Sequence, residues 1–160
     1  MLVAVAIVLT APVSAQTSAP PDISGTWRLN LGKSKLKTAR KIKSQMLMVV
    51  SSDSIVEVRM TTNGTVSTRT YAVDGNEHFL EDTANAPYHF RTYHTTKWES
   101  DALVIRLRMT VETSDAPMVG GAEGDHFTES WSLSPDGRAL TRTLISKGTV
   151  PYAICVYDRQ

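Results

Sequence analysis

The chain has 160 residues, and its 17 basic and 16 acidic side chains give a formal net charge of +1. This balance excludes the charge excess that draws a protein to nucleic acid or an anionic membrane over a distance. We therefore expect a partner that is uncharged or only locally charged. A single cysteine, Cys155, excludes an internal disulfide, so the domain must be stable through its core, and we expect the thiol to be buried and inert.

Residues 1–15 have the pattern of a secretory signal peptide. An apolar run from Leu2 to Leu9 precedes the small-x-small sequence Val13-Ser14-Ala15, and the run is too short for a transmembrane helix. No lysine or arginine precedes the run, and a buried N-terminal strand is the alternative. We expect cleavage after Ala15, a secreted or periplasmic protein, and no integral membrane segment after cleavage. Residues 16–21 then form a linker, and residues 22–160 form one domain.

The rest of the chain divides into about ten short strands with alternating hydrophobicity. Most are joined by tight turns, longer loops are expected at 81–86 and 113–125, and the basic residues 33–43 are the one candidate for a helix. Consecutive hairpins form a meander, which loses its exposed edges most simply by closing. The prediction is an all-β, antiparallel up-and-down barrel, with a Greek-key sandwich as the alternative. The predicted strands are 24–30, 42–51, 55–61, 65–73, 77–80, 88–98, 102–112, 126–133, 138–146 and 152–157.

Four segments carry a resemblance to a known family: DISGTWRLNLGKSKL at 22–36, YAVDGNEH at 71–78, ESWSLSPDGRALT at 129–141 and VYDRQ at 156–160. On these the chain resembles the lipocalin-like (calycin-like) secreted β-barrel proteins of bacteria. The resemblance implies a barrel with a cavity. It also implies that Gly25 and Trp27 close one end, with Arg142 or Arg159 stacked over the indole. Lipocalins have eight strands and a helix after the last, whereas this chain has more strands and no room for that helix.

One face of strand 88–98 is the main candidate for a ligand contact. Phe90, His94 and Trp98 share it, and we expect it to face inward because the aromatic rings would otherwise be exposed. His94 is then either a hydrogen-bond partner for a ligand or a satisfied core residue. With apolar side chains from two further strands, this face predicts a cavity for a small, largely apolar molecule. The predicted ligand-binding residues are Phe90, His94, Trp98, Leu107, Met109 and Trp131.

Glu129 interrupts an apolar face and is a candidate partner for Arg142 on the next strand. The turn at residues 135–137 sets the register that decides whether the two share a face. A structural ion pair is one interpretation. A desolvated carboxylate that accepts protons, with a raised pKa, is the other.

No catalytic motif is present, so an enzyme is the less favoured class. His78, His89, His94 and His126 lack the spacing of metal ligands, and we predict neither a metal nor a cofactor. The leading hypothesis is an exported barrel that binds a small apolar molecule. A filled barrel that contacts a protein or the cell envelope, using its outer face and residues 33–43, is the alternative. An isomerase or hydrolase that uses His94 or Glu129 is the third.

Overall fold

Eleven β-strands make up the regular structure of the part of the chain that a computed structural model describes, which is residues 19–37, 42–85, 88–113, 126–146 and 149–160. The predicted signal peptide and residues 114–125 of the predicted loop 113–125 lie outside these residues, whereas Thr113 belongs to a strand. Within them, the structure contains no helix with the length and hydropathy needed to cross a membrane. The strands are β1 (Gly25–Leu29), β2 (Lys35–Leu36), β3 (Gln45–Ser51), β4 (Ile55–Thr62), β5 (Thr65–Ala72), β6 (Glu77–Asn85), β7 (Tyr88–Glu99), β8 (Ala102–Thr113), β9 (His126–Leu133), β10 (Ala139–Ile145) and β11 (Pro151–Arg159).

The strands form one antiparallel sheet that curls into a nearly closed barrel. Their order is β5-β4-β3-β1-β11-β10-β9-β8-β7-β6, and β2 pairs with β11 beside β1. Because β1 pairs with both β3 and β11, the start and the end of the meander meet. The two end strands, β5 and β6, face each other across a boundary that we call the seam. The up-and-down barrel of about ten strands is confirmed, and the sandwich alternative is wrong.

Successive side chains along each strand point alternately into the barrel core and out to solvent. In β8, Leu103, Ile105 and Leu107 are buried in the core, whereas Arg106 points to solvent. The turns follow from residues that tolerate left-handed backbone, such as Asn63 and Gly64 (φ 49° and 89°) between β4 and β5. These local preferences make each hairpin, and the shared apolar face closes the hairpins around one core.

Two predictions of secondary structure were wrong. Residues 81–85 belong to β6, although their polar sequence indicated a loop, because they pair with the long strand β7 after a register shift between Phe79 and Glu81. Within the basic segment 33–43, Lys35 and Leu36 form the short strand β2 on the edge of β11, where a helix was the candidate. In both cases a neighbouring strand offers backbone hydrogen bonds that the local pattern does not reveal.

Candidate functional site

Trp27 is buried where β1 pairs with β3 and β11. Its side chain is 0% exposed, and its indole N–H donates to the Ile23 carbonyl oxygen at 3.0 Å. The Arg159 guanidinium carbon lies 4.6 Å from the centre of the indole ring. Gly25 has φ 140°, and a Cβ placed there would lie 3.7 Å from Trp27 Nε1. The cation over Trp27 is therefore Arg159, and glycine suits the backbone beside it.

Arg142 lies instead inside the barrel, paired with Glu129. Arg142 is directly opposite Trp131 in the β9–β10 ladder, and Leu144 is opposite Glu129, so Glu129 and Arg142 are diagonal neighbours on the inner face. Arg142 donates from Nε to Glu129 Oε2 at 2.9 Å and from Nη2 to Oε1 at 2.5 Å. The Trp131 indole N–H also donates to Glu129, at 3.2 Å. The register at the turn therefore assembles a hydrogen-bonded triad.

The triad keeps Glu129 ionised. Burial by itself would raise the pKa of Glu129, but the attraction and hydrogen bonds of Arg142 and the bond from Trp131 outweigh it, so the pKa is lowered. The carboxylate is 4% exposed, and two of its neighbours donate to it. The structural ion pair is the correct interpretation. The proton acceptor with a raised pKa was wrong, because Arg142 lies within hydrogen-bond distance.

A cavity of about 270 Å³, counting its open mouth, lies beside this triad. Its lining divides into an apolar set from β3, β4 and β9 and a polar set from β5 and β10. Because this volume includes open solvent, the enclosed space is far smaller than the roughly 300–1,000 Å³ of typical small-molecule sites. The barrel is thus mostly filled, with room left on one side. The lining residues are Leu47, Val58, Met60, Ser67, Arg69, Tyr71, Trp131 and Arg142.

Of the six predicted ligand-binding residues, Trp131 lines this cavity. His94 is 2% exposed, so its face of β7 points inward as expected. Leu107 is part of the packed core, and Trp98 packs against it with a buried indole N–H that has no partner among the described residues. Phe90 and Met109 are partly buried on β7 and β8. A ligand contact by these five residues stays a prediction.

The sequence reasoning missed the polar lining from β5. Ser67, Arg69 and Tyr71 are spaced by two, so they share one face of the strand, and that spacing is the signal that could have found them. Arg69 also reaches across the seam, where its Nη2 lies 2.8 Å from Glu81 Oε1. Burial, with a smaller contribution from Glu129, raises the pKa of Tyr71 to about 12, so its hydroxyl stays a neutral donor.

A group of aromatic and imidazole rings joins the two sides of the seam. The His94 ring stacks on His78 of β6, with centroids 5.5 Å apart, and meets Tyr71 of β5 edge-on at 5.2 Å. His94 Nδ1 shares a hydrogen bond of 2.9 Å with Thr96 Oγ1, and His78 Nε2 lies 2.9 Å from Asp74 Oδ1. His94 is therefore a hydrogen-bonded residue of the seam.

This geometry does not combine His94 and Glu129 into a catalytic pair. Strand β8 separates their strands, which places them about two strand spacings, or ~10 Å, apart. His94 bonds to Thr96, and Glu129 bonds to Arg142 and Trp131. The isomerase or hydrolase hypothesis required the two side chains within hydrogen-bond reach, and it loses that support.

The buried imidazole makes stability depend on pH. Burial, with a smaller repulsion from His78, lowers the pKa of His94. The unfolded chain then binds a proton at His94 more readily than the folded chain does. The stability that depends on neutral His94 is therefore complete above about pH 6.5 and is lost as the pH drops through the lower pKa of the folded state. We expect His94→Gln to flatten the fall in melting temperature that begins as the pH drops below about 6.5.

The matched control is His89→Gln, which changes an imidazole on the outer side of the same strand, paired with Asp82. That variant keeps the buried imidazole, so the fall in melting temperature that His94 causes should remain in it. Equal slopes for His94→Gln and wild type would contradict the prediction.

Comparison with known proteins adds evidence on the fold. No family model matches the chain, and no curated protein matches it by sequence. Among solved structures, the REP1-NXSQ fatty acid transporter superposes with a TM-score of 0.56 at 11% identity, covering 86% of this chain and 96% of that one. A point mutant of that transporter gives 0.58 at 12%, covering 86% and 98%. These likenesses show the fold alone.

Proposed function

We propose that the barrel binds a small, largely apolar molecule that carries a carboxylate. The observation that carries the proposal is the divided lining of the cavity, with Leu47, Val58, Met60 and Trp131 against the polar groups of β5 and β10. An apolar surface with a few convergent polar groups is typical of ligand sites, in which the polar groups fix orientation. Two solved structures of similar fold are of a protein named as a fatty acid transporter, which agrees with a ligand of this class.

Arg69 is the group that we propose binds the carboxylate. Arg142 already donates twice to Glu129. Arg69 is paired with Glu81 through one contact, and both side chains are partly exposed to solvent. Exposed ion pairs contribute about 0–1 kcal/mol, so a ligand carboxylate can replace Glu81 at little cost. The neutral hydroxyl of Tyr71 then supplies a second donor beside it.

The volume limits the ligand. The space of about 270 Å³ includes open solvent at the mouth, so the enclosed part is small, and an apolar tail enters it only if core side chains move. We therefore propose a short-chain ligand whose carboxylate lies near Arg69 and whose tail points toward Leu47, Val58 and Met60.

Calorimetric titration with octanoate and octanol tests the proposal. We expect saturable binding of octanoate and a loss of about tenfold or more in its affinity in Arg69→Met, since a hydrogen bond to a charged group contributes about 1.5–3 kcal/mol. Octanol should bind both proteins equally, because it has no charge to lose. Arg106→Met is the matched control, since Arg106 is an exposed cation on β8 paired with Glu99.

Absence of saturable binding by either compound would overturn the proposal and favour the filled barrel. Equal loss of octanoate affinity in Arg69→Met and Arg106→Met would reject Arg69 as the carboxylate partner. Because Arg69 also joins the seam, the melting temperature of each variant should be measured first. If both variants melt at the wild-type temperature, a loss of octanoate affinity can be assigned to the replaced side chain itself.

The site of action belongs to the same proposal. We propose that the protein is a lipocalin-like barrel that acts outside the cytoplasm, exported by residues 1–15 and cleaved after Ala15. The apolar run and the small-x-small sequence of that segment support export. N-terminal sequencing of the exported protein should start at Gln16, and an intact N-terminus would oppose the proposal.

A further inference from the structure

The outer surface of strands β1 to β5 combines exposed apolar side chains with cations. Cross-strand pairing aligns Arg28, Met46, Thr61 and Val66 in one row, because each lies opposite the next in the β1-β3-β4-β5 ladders. The adjacent row aligns Thr26, Met48, Arg59 and Thr68 in the same way. We call this surface, with Val50 and Glu57 in the third row, the outer β1–β5 face.

The apolar side chains of this face are accessible to a partner. Met48 is 50% exposed and Val50 is 61% exposed, and both lie with Met46 along the outer side of β3. Val66, on the outer side of β5, extends the apolar surface across the sheet. Neighbouring exposed apolar side chains of this kind mark interaction sites more often than scattered ones do.

The cations of this region, unlike Lys33, form no ion pair among the described residues; Asp158, the partner of Lys33, lies opposite Arg28 in the β1–β11 ladder. Arg28 and Arg59 flank the methionines, and Lys35, Lys37 and Lys43 are exposed beyond the Arg28 end, where Lys43 N–H donates to Asn63 Oδ1. Glu57 is the one acidic residue in β1 to β5. On the opposite wall, by contrast, Arg106 and Lys97 both pair with Glu99, and Arg108 pairs with Glu77.

From this asymmetry we propose that the outer β1–β5 face docks on an anionic lipid bilayer. The net charge of +1 does not reveal that basic and acidic side chains lie on different parts of the surface, because most acidic residues lie outside β1 to β5. A bilayer interface accepts apolar side chains and attracts lysine and arginine, which is the combination that this face offers. Nucleic acid would favour aromatic side chains for stacking, and the two rows have none. The inference rests on the surface alone and does not depend on the cavity.

Vesicle sedimentation of the full chain tests the proposal. The probes are vesicles of pure phosphatidylcholine and vesicles with 30 mol% phosphatidylglycerol, and we expect binding to the anionic vesicles that weakens with added salt. Arg28→Gln with Arg59→Gln should reduce the partition coefficient by on the order of fivefold for each cation removed. Met46→Ser with Met48→Ser should reduce it by about tenfold at constant charge.

The matched control is Lys97→Gln with Arg106→Gln, which removes two exposed cations from the opposite wall and should leave the partition coefficient unchanged. All three substitution pairs are at the surface, so their melting temperatures should stay close to wild type. Equal binding to both vesicle types, or no binding, would overturn the proposal. Wild-type binding that none of the variants weakens would assign the membrane contact to another segment. Loss in the cation variant without loss in the methionine variant would show that the apolar side chains do not enter the bilayer. Either outcome would also overturn it.

Discussion

Glu129→Gln should lower the free energy of unfolding by about 3 to 5 kcal/mol. The substitution keeps the shape of the side chain but removes its charge, so Arg142 stays buried without a counterion. Arg142 donates to both carboxylate oxygens of Glu129, and both side chains are shielded from solvent. Domains of this size are stable by about 5–15 kcal/mol, so the loss is a large part of the total. Urea unfolding followed by tryptophan fluorescence measures it.

The double variant Glu129→Leu with Arg142→Met separates two explanations of that loss. If the cost comes from an unpaired buried charge, replacing both partners by apolar side chains should recover most of the stability, because the pair no longer has to be desolvated. Removing a surface pair by Glu99→Gln should change the free energy of unfolding by less than about 1 kcal/mol. A change of that small size in Glu129→Gln would show that the interior pair is hydrated.

Trp27→Ala should lower the free energy of unfolding by about 3 to 5 kcal/mol. The indole is fully buried, so its removal leaves a cavity where β1 meets β3 and β11. It also leaves the Ile23 carbonyl oxygen without its donor. The melting temperature and the urea midpoint both report the change, and an unchanged melting temperature would contradict the buried position.

Two further substitutions divide the Trp27 effect into packing and cation–π parts. Trp27→Phe keeps an aromatic ring and loses the indole N–H, so we expect a smaller loss than with alanine. Arg159→Gln removes the cation over the ring and should cost about 0.5 to 1 kcal/mol, because the guanidinium is at the surface. A larger loss in Arg159→Gln than in Trp27→Ala would mean that the arginine has another structural role.

The fold was predictable because alternation is local. Each hairpin has its own signal, such as the alternating face of β8, where Leu103 and Ile105 are buried and Arg106 is exposed. The turn at 134–137 was also predictable, since Pro135 suits its second position and Gly137 adopts φ 69° at its end. The wrong boundary in β6 has no such signal. Its residues 81–85 are polar, and they extend the strand because β7 is long enough to pair with them.

The candidate site was predictable only in part. Trp131 was expected at a cavity because it lies on an apolar face, and it does line one. Arg69 and Tyr71 were missed, because a strand that places polar groups on its inner side has no hydrophobic alternation to identify it. The choice of Arg159 over Arg142 as the partner of Trp27 also required coordinates, since both arginines are near the end of the sequence.

Local sequence patterns were enough to establish the all-β class, the hairpin order and the burial of Trp27, because alternation, turn residues and side-chain hydrophobicity are properties of neighbouring positions. Which side chains meet across the barrel depends on how the whole sheet closes. Glu129 joins Arg142 through the register of one hairpin, whereas Arg69 meets Glu81 at the seam only because the sheet curls until its two end strands face each other. The size of the cavity follows from the same closure. Curvature of the whole sheet sets the space between opposite walls, and no short stretch of sequence encodes that distance.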